Sequence, residues 1–205
     1  MGFRAKTMNL LFNLQERTAP EITGLTYIPD FITWDEEASL LSEIDEQPWL
    51  HDLKRRVQHY GYKYDYKARA VNEDACLGPL PNWLKGICQR LYKEHIFPDL
   101  PDQVIVNEYL PGQGISAHID CVPCFGDTIA SLSLGSAAAM QFSSPKSERK
   151  EEFYLDARSL IVLSGPARYE WCHAVPARKS DMVGGFKIER GRRISLTFRN
   201  IILQG

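Results

Sequence analysis

Little in this chain marks a secreted, membrane-spanning or strongly charged protein. No apolar run approaches the roughly 20 residues that a bilayer-crossing helix needs. The opening MGFRAKTMNLLFNL has two basic residues, but its apolar stretch is too short and no small-residue cleavage site follows, so no signal peptide is expected. Five cysteines, an odd number, form no spaced disulfide framework, which predicts a reducing, cytoplasmic location. A net charge of -2 excludes polyanion binding through bulk charge; a nucleic-acid partner would need a local basic patch. Repeats and low-complexity segments are also missing. With 205 residues, 44% hydrophobic and 24% charged, the chain reads as a loose arm over residues 1–20 and a single soluble domain over 21–205, most simply a monomer.

What is present begins with a short strand at Leu25–Ile28 and a capping-box pattern, Thr33-x-x-Glu36. The box predicts a helix to about Glu46, with Ala38, Leu41 and Ile44 facing inward. A second helix is predicted from Pro81 to about His95, where Trp83, Leu84, Ile87, Cys88, Leu91 and Tyr92 recur at helical spacing. From Val104 on, short runs read as strands: VIVNEYL, SAHID, TIASLSL, AAMQF, EEFYLD, SLIVLSG, YEWCHAV and RRISLTFRN. Such spacing predicts a closed or double-sheet antiparallel structure, a class that includes jelly rolls. Lys146–Glu152 reads as a solvated turn, and Asp181–Gly191, with its Gly184-Gly185 pair, as a mobile loop.

Chemistry concentrates in three places. His118 and Asp120 are two apart, so in an extended strand they share a face and can bind one metal. With His173 they would make two histidines and one carboxylate, the ligand set of non-haem Fe(II) oxygenases. In the last strand Arg193, Ser195, Thr197 and Arg199 share one face, and Ile194, Leu196 and Phe198 the other. An apolar face on a core and a polar face on a cavity is the implied arrangement. Two arginines there suit a ligand with two carboxylates, because guanidinium binds carboxylate bidentately and keeps its charge.

The third place is His51–Arg69, where Lys54, Arg55, Arg56, Lys63, Lys67 and Arg69 outnumber Asp52 and Asp65. Tyr60, Tyr62, Tyr64 and Tyr66 alternate, so in a strand they would share a face. Two readings stand side by side: a platform on which bases stack while cations hold phosphates, or a tyrosine ladder stiffening an edge hairpin. Cys121-Val122-Pro123-Cys124 follows the His-x-Asp pair directly, yet it lacks a second ligand pair for zinc and a thioredoxin-like context. It is expected to be coincidental, with Cys121 pointing away from an iron oxidant.

Taken in order, Asn107-x-Tyr109-x-Pro111-Gly112, His118-x-Asp120, Gly165-Pro166-x-Arg168 before His173, and Arg193-x-Ser195-x-Thr197-Phe198-Arg199 resemble the AlkB family of Fe(II)- and 2-oxoglutarate-dependent dioxygenases. The resemblance runs from about Thr26 to Asn200. The runs RRVQHYGYKYDY, PGQGISAHID and SLSLGS are similar to the branch holding the AlkB-type domain of the animal tRNA wobble-uridine hydroxylase. Ser195 stands where the bacterial prototype has Asn.

The resemblance implies an α+β protein: a double-stranded β-helix, or jelly roll, with two supporting N-terminal helices and a nucleotide-recognition lid over the tyrosine-rich segment. It implies Fe(II) on His118, Asp120 and His173, and 2-oxoglutarate as co-substrate on Asn107, Tyr109, Arg193, Ser195 and Arg199. Arg193 would take the distal carboxylate and Arg199 the end nearer the iron. Arg55, Arg56, Tyr60, Tyr62 and Tyr64 would bind an alkylated or otherwise modified nucleic acid, DNA or RNA, with a duplex flipping out its target base. Oxidation at a carbon bonded to a base nitrogen releases an aldehyde, whereas a carbon elsewhere keeps a stable hydroxyl. The sequence carries no RNA-recognition or methyltransferase segment like those of the animal tRNA enzyme, which favours general dealkylation of bases, as in DNA repair, over wobble-uridine hydroxylation. A hydroxylase of protein or small molecules and a catalytically silent nucleic-acid binder are the other classes the sequence leaves open.

Overall fold

Three neighbouring strands carry the organising pattern: β3 (Gln103–Tyr109), β5 (Ile129–Gly135) and β12 (Arg193–Arg199). Along each, apolar residues alternate with polar or mixed ones, so one face of the sheet is greasy and the other chemical. Val104, Val106, Ala130, Leu132, Leu134, Ile194, Leu196 and Phe198 form the apolar face. Against it pack two helices, α1 (Trp34–Glu46) and α2 (Asn82–Lys93), through Leu40, Ile44, Leu84, Ile87, Cys88 and Leu91.

A computed structural model describes residues 19–51 and 53–203; most of the expected arm lies outside the described residues, as does Asp52. The larger sheet has six antiparallel strands in the order β1 (Leu25–Ile28), β8 (Leu160–Leu163), β5, β12, β3 and β2 (Val57–Tyr60). The smaller sheet runs β4 (Ile115–His118), β9 (Cys172–Val175), β6 (Ala138–Ser143) and β7 (Lys150–Leu155). Ile129, Ile161 and Leu163 of the larger sheet pack on Met140, Phe142, Phe153, Leu155 and Val175 of the smaller one. This second core borders a cavity between the sheets, which Ile129, Met140, Ile161 and Leu163 help to line. Among the described residues no helix is long and apolar enough to cross a membrane.

The first helix begins as its sequence predicts: the Thr33 hydroxyl accepts from Glu36 N at 3.2 Å, and the Glu36 carboxylate from Thr33 N at 2.8 Å. Its inward face differs, since Ala38 is exposed and Glu37, Leu40 and Ile44 are buried. Glu37 is drawn inside because its carboxylate accepts from Gly135 N at 2.8 Å and pairs with Arg158. Three other expectations change. Residues 180–189 form a hairpin of β10 (Ser180–Val183) and β11 (Phe186–Glu189), with Gly184 and Gly185 at positive φ making its two-residue turn. Lys150–Glu152 belongs to β7 instead of a turn. Gly165–Tyr169 is a short helix, α3, preceding β9.

The tyrosine-rich segment also departs from its pattern. Strand β2 stops at Tyr60 because Gly61 sits at φ 77°, where a side chain would meet the Asp102 carbonyl. Beyond it Tyr62 bridges to Cys76, Asp65 bridges to Ala70, and Arg69 is left-handed. The four tyrosines therefore share no common face.

Candidate active site

His118 and His173 are brought together by strand register. Positions 118 and 173 lie directly opposite each other on the antiparallel pair β4 and β9, with ring centroids 4.5 Å apart. A register irregularity between Ile115 and His118 accompanies a close approach at Gly114, where any Cβ would run into the Val175 carbonyl. Asp120 reaches the same point from just beyond the end of β4, not from within an extended strand as its spacing predicts. Ligand atoms of the three residues lie within 4.8 Å of one another.

Each ligand candidate is oriented by neighbours. Nδ1 of His118 donates to the Ser116 carbonyl at 2.8 Å when it carries the proton, which leaves Nε2 as a lone-pair donor. Nε2 of His173 lies 3.7 Å from Asp120 Oδ2. Burial pushes the His173 imidazole down to about 4 against the pull of Asp120, so it is neutral and able to ligate near neutral pH. Burial opposes ionisation of Asp120, but Arg199, His173, His118 and Arg168 outweigh it and hold the carboxyl well below the usual range. Arg199 Nη2 donates to Asp120 Oδ1 at 2.8 Å.

Arg168, which the sequence reading placed in a motif without assigning it work, is fully buried. Its guanidinium donates to the carbonyls of Asp120 (2.9 Å), Cys121 (3.2 Å), Gly126 (3.3 Å) and Phe125 (3.4 Å), clamping the loop that carries the carboxylate ligand. Ser131 and Ser133 were also overlooked, although the alternation of SLSLG places them on the cavity face. Ser131 bonds Ser195 at 2.7 Å, and Ser133 accepts from Arg193 at 2.9 Å.

A cavity of about 680 Å³ opens beside these groups. Arg193, Ser195, Thr197 and Arg199 line it from β12, Asn107 and Tyr109 from β3, and His118, Asp120 and His173 from the metal side. Tyr66 Oη aside, the buried side-chain atoms of cavity-lining residues without a hydrogen-bond partner are Nε of Arg193, Nε of Arg199 and Oδ2 of Asp120. Leaving such groups unpaired is costly. A cation beside Oδ2 and an anionic ligand on the two guanidinium groups would satisfy them, so the residues fit Fe(II) and a dicarboxylate.

Residues singled out for substrate binding divide. Arg55 and Tyr64 line the cavity with Lys54, Tyr66 and Arg69. Arg55 Nε donates to Asn107 Oδ1 at 2.8 Å, and its guanidinium lies near the Tyr66 and Tyr109 rings. Arg56, Tyr60 and Tyr62 lie elsewhere. Arg56 pairs with Glu108 and covers Trp49; Tyr60 packs edge-on against Trp83; Tyr62 borders a separate pocket with Cys76 and Asp102. The expectation that the CxxC pair is coincidental and turned away is overturned. Cys121 and Cys124 are joined by a disulfide, and Cys121 lines the cavity.

Residues 24–199 match the model of the 2OG-Fe(II) oxygenase superfamily. The chain is 39% identical to an alkylated DNA repair protein ALKBH8 homolog of Arabidopsis thaliana over 88% of its own length and 59% of that protein's. It is 38% identical to the tRNA (carboxymethyluridine(34)-5-O)-methyltransferase ALKBH8 of Mus musculus over 87% of its length, but spans only 30% of that protein. In fold it matches the structure of OsALKBH1 with a TM-score of 0.63 at 18% identity, covering 90% of this chain and 99% of that one. With the facing sheets, the clustered histidines and carboxylate, and these likenesses in hand, the chain belongs to the 2OG-Fe(II) oxygenase superfamily as an oxidoreductase of the AlkB type, with Fe(II) and 2-oxoglutarate as its cofactors.

Proposed function

We propose that the chain oxidises a modified base in nucleic acid at a carbon held beside His118, Asp120 and His173. The observation that carries this reading is the shared cavity: metal-type donors and paired arginines form its floor, and Lys54, Arg55, Tyr64, Tyr66 and Arg69 form a basic, aromatic rim. His118 Nε2, Asp120 and His173 Nε2 would hold Fe(II). Arg193, with Tyr109 beside it, would bind the distal carboxylate of 2-oxoglutarate, and Arg199 would serve the end nearer the metal while fixing Asp120. Asn107 and Ser195 would orient the co-substrate from neighbouring strands, at directly opposed positions. Bound Fe(II) and 2-oxoglutarate supply the oxidising power, drawn from dioxygen, that replaces C–H by C–OH. The rim would hold the base by stacking on Tyr64 or Tyr66 and its phosphates by Lys54 and Arg69.

Where the oxidised carbon is bonded to a base nitrogen, the product releases an aldehyde and restores the base. A second reading, hydroxylation of a wobble-uridine side chain, is favoured by the 38% identity to the mouse relative, whose name specifies carboxymethyluridine 34. Mass spectrometry of methylated, etheno-modified and carboxymethyluridine-bearing DNA and RNA after incubation with iron and 2-oxoglutarate tests both. Loss of the alkyl group with aldehyde release supports dealkylation, and a retained oxygen supports hydroxylation. Unchanged oligomers across the panel, with succinate still formed, would point to a protein or small-molecule substrate.

A further inference from the structure

The disulfide at the cavity wall has a place in this chemistry. Cys121 directly follows the ligand Asp120, and both cysteines are buried, while Val122 and Pro123 between them are exposed. The Arg69 carbonyl of the rim segment lies 3.1 and 3.4 Å from the two sulfurs, and Arg168 clamps the loop from behind. A crosslink between residues three apart closes a very short loop, for which the chain-entropy gain is least, so stabilisation is a weak reason for it. The other cysteines are free thiols: Cys76 is exposed, Cys88 is buried in the helical core, and Cys172 neighbours His173 on a strand whose side chains alternate faces. Only this pair combines two sulfurs in bonding reach with a position on the wall where oxidation occurs.

We propose that Cys121 and Cys124, as a dithiol, are the internal electron donor for turnovers in which 2-oxoglutarate is consumed without a nucleic-acid substrate, and that the disulfide is the product. The inference rests on the iron and 2-oxoglutarate assignment made above. In the balanced reaction, 2-oxoglutarate, dioxygen and the dithiol give succinate, carbon dioxide, water and the disulfide. One oxygen atom enters the new carboxylate of succinate as the C1–C2 bond breaks and carbon dioxide leaves. The other takes two electrons and two protons from the two S–H bonds and departs as water, while the S–S bond forms. Oxidation thereby falls on a pair that an external small-molecule dithiol can restore by exchange, in preference to Tyr64, Tyr66 or other groups on the cavity wall. The reductant would reach the pair through the cavity, whose wall includes Cys121.

The test uses protein fully reduced with dithiothreitol and desalted under argon, then given Fe(II), 2-oxoglutarate, air-saturated buffer and catalase, with no nucleic acid. Samples are quenched in acid with an alkylating agent, thiols are read by peptide mass spectrometry, and succinate is measured separately. The expected result is disulfide and succinate rising together in equal amounts during the first turnover, with Cys76 remaining alkylatable. Replacing 2-oxoglutarate with N-oxalylglycine should stop both. In a Cys121→Ser/Cys124→Ser double variant, oxygen should instead appear on peptides carrying Tyr64 or Tyr66. Succinate without disulfide, or disulfide forming equally fast with N-oxalylglycine, overturns the dithiol role and leaves the iron site standing. No succinate even with the oligonucleotide panel removes the iron assignment and this inference together.

Discussion

Strand β12 and the segment from Arg55 to Tyr66 present the same kind of sequence, cations and ring or hydroxyl side chains at alternate positions, but only β12 keeps that pattern in three dimensions. β12 is hydrogen-bonded on both sides, to β3 through seven paired positions and to β5 through six, so each side chain is assigned a face by two ladders. The rim segment pairs with β3 through four residues, and on its other side only by a single bridge from Val57 to Leu50, before Gly61 turns it away. An alternating sequence therefore reports a shared face where neighbours hold the strand, and says little at an edge. The adjacent arginines sharpen the point: Arg55 turns to Asn107 at the cavity, and Arg56 to Glu108 on the opposite side.

If the cavity floor carries chemistry and the rim carries recognition, their variants should fail differently. The largest effect is expected from Asp120→Asn, which keeps the shape and an acceptor for Arg199 but removes the anionic ligand. Succinate formation should fall to background with the fold retained, as read by circular dichroism. Full turnover by this variant would break the division at its base.

Next come the rim tyrosines. Tyr64→Ala should weaken oligonucleotide binding by about 1–3 kcal/mol if a base stacks there, and Tyr62→Ala, facing the other pocket, should leave affinity unchanged. Equal losses in the two variants, measured by fluorescence anisotropy on folded protein, would restore the single tyrosine face that the structure lacks.

The smallest effect belongs to Arg56. Burial opposes ionisation of Glu108, but Arg56 and Arg192 outweigh it and hold its carboxyl below the usual range. A lowered folded-state value contributes stability above the unfolded carboxylate range, and that contribution disappears as pH falls through the folded value. Arg56→Ala should therefore cost about 1 kcal/mol near neutral pH, a figure discounted for the partial exposure of Arg56. Chemical denaturation across pH should show the difference from wild type shrinking in acid. Oligonucleotide affinity should not change.

How far the sequence could be read follows the same physical division. The capping box, eight of the ten strands from residue 103 on and the two faces of β12 were legible because each is set by local period or local hydrogen bonding. Joining His118 to His173 required a cross-strand register that no single segment encodes. Asp120 was assigned the right neighbourhood by the wrong route, since the strand ends two residues earlier. Arg168 was hidden because its partners are backbone carbonyls, which leave no trace in side-chain patterns. The Gly184-Gly185 pair, read as looseness, is a hairpin turn of the type such dipeptides favour.

The account's central claim is that the β12 face, and not the basic rim, binds 2-oxoglutarate beside the metal. Anaerobic titration of the Fe(II)-loaded protein with 2-oxoglutarate, followed by the visible charge-transfer band, tests it most directly. Arg193→Lys keeps the charge but loses the planar fork, and should raise Kd by a free energy of about 1–3 kcal/mol. A Lys54→Ala/Tyr64→Ala double variant should titrate like wild type. An unchanged Kd in Arg193→Lys together with a weakened one in the rim variant would contradict the account.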